Sequence, residues 1–310
     1  MGGKKPPIFK ILILFSAFGI NKTKMIIIDN HIGQLCNRLW SLLPIISFSL
    51  EKNEKITILW SPKDVEFNFH YLKQNSNIRF YFSGMKKPTW WWRIDTLLQN
   101  KNYFINVPLE QFKSKKKHIH FIDAWKHSDD ISYIQNHIQE IKKLFRPNEL
   151  VLNNISNALG TFNGFTIGVH IRRGDYKEYL SGRYYFSIEK WAKYIQFLSS
   201  QITDRNVRFL ICSNEEGIDE ELSRLLPNDI FLSIPKSNGI TDLYALSKCD
   251  YLIGVPSSYS QWASFIGDVP LYLITDEKMP SLDDFHKIIY FNHFDNGCSL
   301  VLENGFYYIN

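Results

Sequence analysis

The sequence has few cysteines and no cysteine motif. The four that it has are scattered over 310 residues, without a C-x-x-C pair or a spacing typical of zinc sites: Cys36, Cys212, Cys249 and Cys298. This pattern predicts reduced cysteines in a protein core, as in cytoplasmic proteins.

Neither sign of charge is in large excess. The chain has 36 Lys and Arg against 31 Asp and Glu, a net charge of +5 and a pI near 8.8. This mildly basic balance suits an anionic ligand but is too weak to indicate a nucleic-acid partner. The one dense basic run, KSKKKH at residues 113–118, is interpreted as a solvated loop, with contact to a membrane or an acidic partner as the alternative.

No apolar run near the N-terminus is long enough to span a membrane. The apolar stretch within residues 1–24 has about a dozen residues, whereas a transmembrane helix needs about 20. No small-residue cleavage site follows it, so a signal peptide is not indicated. We interpret residues 1–24 as a dispensable extension, with a weak membrane anchor as the alternative. The predicted localisation is cytoplasmic, with peripheral contact at the inner face of the membrane as the alternative.

What the sequence does have is a globular composition, 45% apolar and 22% charged, over a length that suits two domains. Strand-like and helical patterns alternate from Met25, and the alternation becomes strict after residue 160. Near-continuous apolar strands between helices predict a parallel sheet covered on both faces. We predict a first α/β domain over residues 25–159 and a Rossmann-like domain, with a C-terminal tail, over residues 160–310.

The first domain is predicted to contain a buried helix that Pro44 interrupts and an amphipathic helix over residues 128–145. Its strands are expected at residues 25–29, 56–60, 78–82, 103–107 and 118–123.

Polar side chains follow two predicted strands of the second domain. Arg172 and Arg173 emerge as the strand at 165–171 ends, and adjacent guanidinium groups can bind a diphosphate in a bidentate manner. In GVPSSYSQW (254–262), serines begin a helix whose N-terminal amides can bind phosphate oxygens. Each segment alone has a structural explanation, a surface ion-pair cluster or a simple helix cap at Ser258. Both, however, fall on one edge of a parallel sheet, where such sheets bind ligands.

At these residues the sequence resembles a known family. His170, Arg172, Arg173 and Asp175 form H-x-R-R-x-D, which is similar to the first motif of the GDP-fucose-dependent fucosyltransferases. The likeness is closest to the α-1,2 family, which is related to the α-1,6 and protein O-fucosyl groups. Three further blocks resemble the family in order and spacing: GQLCNRLW (33–40), FLICSNEEGIDEEL (209–222) and DLYALSKCDYLIGVPSSYSQWASFIGD (242–268).

The resemblance implies a GT-B architecture, an α/β fold in which two Rossmann-like domains with parallel sheets face each other across a cleft. The first domain would bind the acceptor and the second GDP-fucose. Donor-binding roles are implied for His170, Arg172, Arg173, Ser213, Asp242, Ser258, Ser260 and Gln261. A loop near donor and acceptor is implied for Gly33, Gln34, Asn37 and Arg38.

The implied reaction is an inverting transfer of fucose from GDP-fucose to a hydroxyl of an oligosaccharide or lipid-linked glycan, such as a bacterial surface glycan. An α-1,2 linkage is expected, and an α-1,6-type or other GDP-sugar transferase is the alternative. Gln261 follows Ser260 as in the α-1,6 group, whereas the α-1,2 group more often has tryptophan there. This departure leaves the linkage open but not the class of donor.

The arginine pair is expected to stabilise charge that develops on the leaving β-phosphate, so no metal and no cofactor are predicted. The sequence has no D-x-D, and Asp283-Asp284 is interpreted as a solvated turn. The predicted catalytic residues are Arg173 and a base that removes the acceptor proton. Asp175 is preferred as the base because it belongs to the motif, and Glu178 is the alternative. In that second case Asp175 forms a salt bridge that orients the arginines.

Two other classes of protein are less compatible with this sequence. Adhesion through Arg173-Gly174-Asp175 needs a protruding loop on an exported chain, and a dinucleotide oxidoreductase needs a G-x-G-x-x-G run, which the sequence lacks. The tryptophans at 90–92 suit either sugar stacking or core packing. Residues 181–187 suit either an acceptor-lining loop or a plain connection.

Overall fold

The computed structural model describes residues 25–30, 33–60, 76–82, 107–113, 119–128, 130–203, 205–275, 277–288, 300–303 and 306–309. The chain forms two compact units that divide between Leu144 and Phe145. Several predictions lie outside the described residues: the extension at 1–24, the tryptophans at 90–92, the basic run from 114, Cys298, and the strand at 103–107 apart from Val107.

The first unit contains a four-stranded parallel sheet in the order β3-β2-β1-β4. Its strands are β1 (Met25–Asp29), β2 (Ile56–Trp60), β3 (Ile78–Phe82) and β4 (Ile119–Asp123). The isoleucines at 26–28 are at most 1% exposed, as expected of a central strand covered on both faces. The strands predicted at these four positions are confirmed.

Helix α1 (Leu35–Lys52) runs through Pro44 without a break, so the predicted interruption was wrong. A proline inside a helix removes one hydrogen bond and costs about 3 kcal/mol. Every residue from Arg38 to Ser49 is buried, however, and the packing on all sides of this part of the helix outweighs the loss.

Helix α2 (Ile134–Leu144) begins later than the predicted start at residue 128. The preceding segment is held as a turn because Asp130 accepts hydrogen bonds from the Leu109 amide at 3.0 Å and from the Ser132 hydroxyl at 2.7 Å. An aspartate that bonds nearby backbone and hydroxyl groups competes with helix formation.

The second unit contains a five-stranded parallel sheet in the order β7-β6-β5-β8-β9. Its strands are β5 (Gly164–Ile171), β6 (Asn206–Ser213), β7 (Ile230–Leu232), β8 (Tyr251–Gly254) and β9 (Leu271–Leu273). Its helices are α3 (Glu149–Leu159), α4 (Ile188–Gln201), α5 (Ile218–Leu225), α6 (Gly239–Leu246) and α7 (Ser258–Gly267). The strict alternation predicted after residue 160 is confirmed.

Alternate residues of β5 face different layers, as the period of a strand requires. Ile167 and Val169 join the core that includes Trp191 of α4. Gly168 faces the other side, where a Cβ would lie 2.7 Å from Leu246 Cδ2, so this glycine lets α6 approach the sheet. His170 lies on that same side of β5, which directs it toward α7.

Three of the cysteines, Cys36, Cys212 and Cys249, are buried and reduced, as predicted. In the described ranges, no helix has both the length and the apolarity to cross a membrane. Strands β10 (Leu300–Glu303) and β11 (Phe306–Ile309) pair antiparallel as a separate two-stranded sheet.

Candidate functional site

The two segments singled out in the sequence meet at the carboxyl edge of the second sheet. Strand β5 pairs with β6 on one side, Ile171 opposite Ser213, and with β8 on the other, His170 opposite Gly254. The Tyr176 hydroxyl then donates to the Pro256 carbonyl at 2.6 Å, which ties the loop after β5 to the start of α7. Parallel strands therefore bring the arginine motif and the serine-rich helix start to one place.

His170 is buried beneath this edge. Its ring stacks on Tyr259, with 4.8 Å between ring centroids. Burial, reinforced by the Arg172 charge, lowers its pKa to about 3, so the imidazole is neutral at physiological pH. Its Nδ1 atom is buried and receives no hydrogen bond from the described residues. Buried nitrogens without a partner are uncommon in folded proteins, so this atom is a candidate for a hydrogen bond with a ligand.

Arg172 and Asp175 form a bidentate ion pair. The guanidinium donates from Nε to Oδ1 at 2.9 Å and from Nη2 to Oδ2 at 2.8 Å. The hydrogen bonds from Arg172 hold the pKa of the Asp175 carboxyl below its usual range. A carboxylate with a lowered pKa accepts a proton less readily, so this contact supports the orienting role that the sequence left open for Asp175.

Arg173 is held by a different set of groups. Its Nε donates to Glu215 at 2.8 Å, Nη1 to the Phe186 carbonyl at 3.2 Å and Nη2 to the Tyr185 hydroxyl at 2.7 Å. Tyr185 and Phe186 belong to the 181–187 segment, which thus folds back onto the arginine motif. The two arginines, adjacent in sequence, are therefore held by separate sets of contacts.

Two residues at the end of β6, Asn214 and Glu215, were missed by the sequence analysis. Asn214 accepts a hydrogen bond from the Arg173 amide at 2.8 Å, and Glu215 accepts one from the Gly174 amide at 3.0 Å. Ser213, predicted to bind the donor, accepts a hydrogen bond from the Glu215 amide at 3.1 Å. A signal for them is present in the sequence, because Asn214 and Glu215 are polar residues that directly follow β6, the strand that pairs with β5.

At the start of α7 the N-cap is Ser257, whose hydroxyl accepts a hydrogen bond from the Tyr259 amide at 3.2 Å. Ser258 is the first helical residue and is half-buried. Ser260 and Gln261 are buried, at 1% and 0% exposure. The helix start lies at the same sheet edge as the arginines, as predicted.

Asp242 lies on α6, next to this helix start. The Tyr259 hydroxyl donates to the Gly239 carbonyl at 2.6 Å and so joins the first turns of α6 and α7. Burial raises the pKa of Asp242 to about 6, against a hydrogen bond with Ser237 that lowers it. A half-buried carboxyl with a raised pKa at a sheet edge is a candidate ligand-binding group.

The four residues predicted for the donor and acceptor loop lie in the first unit. Gly33 and Gln34 are exposed and precede α1, and Gly33 has a φ of +79°, which favours glycine. Asn37 packs on this turn, since a Cβ at Gly33 would lie 2.6 Å from its Nδ2. Arg38 is buried and donates from Nε to the Asn30 carbonyl at 3.2 Å, which ties α1 to the end of β1.

Glu178 is exposed and follows the short helical turn Gly174–Lys177.

The described part of the chain holds no group of three or more His, Cys, Asp or Glu side chains arranged to bind a metal ion. Asp284 of the predicted turn accepts hydrogen bonds from Lys278 at 2.6 Å and from the Ser281 amide at 2.7 Å.

No protein-family model matches this sequence, and no curated protein is significantly similar to it. Solved structures are similar in fold. A NodZ α-1,6-fucosyltransferase soaked with GDP-fucose gives a TM-score of 0.54 at 16% identity, over 85% of this chain and 97% of that one. FUT1 of Arabidopsis thaliana, a mutant in complex with GDP, gives 0.56 at 12% identity, over 90% and 76%. POFUT1 in complex with GDP gives 0.52 at 11% identity, over 80% and 96%.

The chain therefore has the α/β fold of solved fucosyltransferases. The predicted fold class, GT-B with two Rossmann-like parallel sheets, is confirmed.

Proposed function

We propose that this protein transfers fucose from GDP-fucose to a hydroxyl of a glycan acceptor. The observation that carries the proposal is the juxtaposition of Arg172 and Arg173 with the first turn of α7 at one sheet edge. Two guanidinium groups and the amides of a helix start suit a diphosphate. The fold supports the proposal, since structures of this fold have been solved in complex with GDP or GDP-fucose.

For the linkage we propose α-1,2, from the motif, with an α-1,6-type or other GDP-sugar transferase as the alternative. NodZ among the similar structures is an α-1,6 enzyme, and Gln261 follows Ser260 as in that group. The oligosaccharide or lipid-linked acceptor, the assignment of acceptor and donor to the two units, and the cytoplasmic localisation stay predictions.

The proposed roles follow the chemistry of each group. Arg172 and Arg173 contact the β-phosphate and stabilise the charge that it gains as GDP leaves. The neutral imidazole of His170 and the carboxyl of Asp242 contact the nucleoside. The helix start supplies hydroxyl and amide groups to the diphosphate or fucose, from Ser258, Ser260 and Gln261, and Ser213 contacts the donor from the end of β6. The assignment of Gly33, Gln34, Asn37 and Arg38 to a loop that contacts donor and acceptor stays a prediction.

The displacement also needs a base that takes the proton of the acceptor hydroxyl. Asp175 and Glu178 are the two carboxylates of the motif loop. Because Asp175 is paired with Arg172 through both oxygens, we propose that it orients this arginine, and that the exposed Glu178 is the base. Asp175, which belongs to the H-x-R-R-x-D motif, is the competing candidate for the base.

A screen of nucleotide sugars tests the proposed function. GDP-fucose should be hydrolysed slowly or transferred, while GDP-mannose is left intact. Calorimetry should detect binding of GDP and none of NAD. A protein that binds neither GDP nor GDP-fucose contradicts the proposal. An adhesion role is disfavoured because the Arg173-Gly174-Asp175 backbone is bonded to Asn214 and Glu215 at the end of β6, whereas adhesion needs a protruding loop.

Removal of metal ions is expected to leave turnover almost unchanged. The arginine pair supplies the positive charge that a bound cation provides in metal-dependent sugar transferases. Turnover of GDP-fucose is compared before and after EDTA treatment, with added Mn²⁺ as the control. A collapse in rate that Mn²⁺ restores would show that the donor site needs a metal.

The affinity for GDP is expected to fall as the pH drops through about 6. The raised pKa of Asp242 means that its carboxyl is protonated below about 6, and the protonated acid loses its charge and keeps only one good acceptor oxygen for the N–H groups of guanine. Below this point the affinity should fall by up to roughly tenfold per pH unit. The affinity is measured by calorimetry between pH 5 and 7.5 for the wild type and for Asp242→Asn. The variant is the control, because any effect from the titration of GDP itself is the same for both proteins. An equal dependence of GDP affinity on pH in the two proteins would show that Asp242 does not bind guanine.

The raised pKa of Asp242 also predicts the direction in which the stability of the fold changes with pH. The folded protein holds the Asp242 proton to a higher pH than the unfolded chain does. Stability relative to Asp242→Asn is therefore expected to decline as the pH rises from about 4 to about 6, and to level off above this range.

A further inference from the structure

We propose that Glu215 is a positioning residue for the reaction, which acts by holding Arg173 and the loop after it in the conformation that binds the β-phosphate. The proposal rests on the proposed function, since it concerns the grip on GDP. Neither the motif nor the composition of the chain indicated this residue.

Glu215 uses both carboxylate oxygens on adjacent residues of the motif. Its Oε2 accepts from Arg173 Nε at 2.8 Å, and its Oε1 accepts from the Gly174 amide at 3.0 Å. One carboxylate from the end of β6 thus fixes a side chain and the backbone beside it. Charge-assisted hydrogen bonds of this kind are about twice as strong as neutral ones.

Asn214 completes the contact between the two strand ends. Its Oδ1 accepts from the Arg173 amide at 2.8 Å. Gly174 has a φ of +37°, and a Cβ there would lie 2.5 Å from Asn214 Nδ2. The loop therefore turns sharply against Asn214 and Glu215, which explains why glycine stands between Arg173 and Asp175.

The contacts leave Arg173 able to bind a ligand. A guanidinium has five N–H groups. Arg173 gives one to Glu215, one to the Phe186 carbonyl and one to the Tyr185 hydroxyl. Nη1 and Nη2 each keep a second N–H, and two such groups match two phosphate oxygens. Glu215 therefore anchors the Nε side and leaves donors at the outer end.

A carboxylate is required here because both of its oxygens accept. A glutamine would offer one acceptor and one donor, and its NH₂ group would then face either Arg173 Nε or the Gly174 amide. We therefore expect Glu215→Gln to be nearly as damaging as Glu215→Ala. Glu215→Asp keeps the charge but is too short to reach both donors, and it serves as the milder variant if the others fold poorly.

The test compares the binding of GDP and GMP by calorimetry, because GMP lacks the β-phosphate. Glu215→Gln is expected to weaken GDP binding about ten- to a hundredfold and GMP binding less than about threefold. The matched control is Glu216→Gln, the next residue along, which is exposed and should bind both nucleotides like the wild type. Thermal unfolding of each variant reports whether the fold is retained.

A second comparison asks whether Glu215 acts through Arg173. In an Arg173→Ala background, Glu215→Gln should cause a much smaller loss of GDP affinity than in the wild type, since only its contact with the Gly174 amide is left to lose. Additive losses, equal losses for GDP and GMP, unchanged binding or tighter GDP binding would each overturn the positioning role. A wild-type protein that binds no GDP would instead overturn the proposed function, and this inference with it.

Discussion

Replacing Arg173 by alanine is expected to lower the rate of fucosyl transfer by about 100- to 1000-fold while the protein stays folded. A donor that contacts a developing anion contributes about 3 to 4 kcal/mol to stabilisation of the transition state. Its loss should lower kcat and kcat/KM together, since the charge on the β-phosphate grows as GDP departs.

Arg173→Lys is expected to be nearly as severe. A lysine keeps the charge, but its single ammonium cannot reach Glu215, Tyr185 and the Phe186 carbonyl as the guanidinium does and also present two N–H groups to a phosphate. Rates of transfer and affinity for GDP are measured for both variants, and circular dichroism reports the fold. A rate of transfer for Arg173→Lys within tenfold of the wild-type rate would contradict bidentate phosphate binding by Arg173.

A matched control is Arg205, an exposed arginine at the opposite, amino end of the same sheet. Its guanidinium lies over the Phe165 ring, 4.8 Å from the centroid. Arg205→Ala and Arg205→Lys remove or keep one positive charge at a distance from the site. Wild-type transfer by both would show that the effect at Arg173 is local and does not come from the net charge.

The second large effect separates the two carboxylates of the motif loop. Glu178→Gln is expected to lower transfer by about 100- to 10,000-fold, the usual contribution of a general base, with little change in GDP affinity. Asp175→Asn is expected to lower GDP affinity and transfer together. The reason is that an amide offers one acceptor to the two N–H groups of Arg172 that Asp175 now bonds.

The pH profile decides between the assignments. The acid limb of kcat should report the titration of the base, so Glu178→Gln should lose this limb and Asp175→Asn should retain it. The opposite result would restore Asp175 as the base: transfer abolished by Asp175→Asn, GDP affinity reduced by less than tenfold, and the acid limb lost. Both variants are measured with GDP by calorimetry and with one acceptor across the pH range.

Stability provides an independent check on the Asp175 contact. The folded-state pKa of this carboxyl is lowered by Arg172. The ion pair therefore contributes to stability above the ordinary pKa of aspartate, and the contribution is lost as the pH falls through the lowered value. Because Asp175 is exposed, the effect on the unfolding midpoint should be small.

The sequence by itself determined the architecture of the second unit. Near-continuous apolar strands between amphipathic helices specify a parallel sheet covered on both faces, and the strict alternation expected after residue 160 is found from β5 to β9. Local patterns failed where packing or a turn competed with them. Helix α1 continues through Pro44 because the helix is buried on all sides there. Helix α2 begins at Ile134 because Asp130 holds a turn before it.

The sequence also placed the arginine motif and the helix start of α7 on one edge, because the ends of parallel strands share an edge. Which carboxylate pairs with which arginine was decided only by the tertiary structure. Asp175 bonds Arg172 within the loop, whereas Glu215 reaches Arg173 from the end of β6, 42 residues along the chain. Such a contact depends on the register of two strands and on the turn at Gly174, and neither leaves a local period in the sequence.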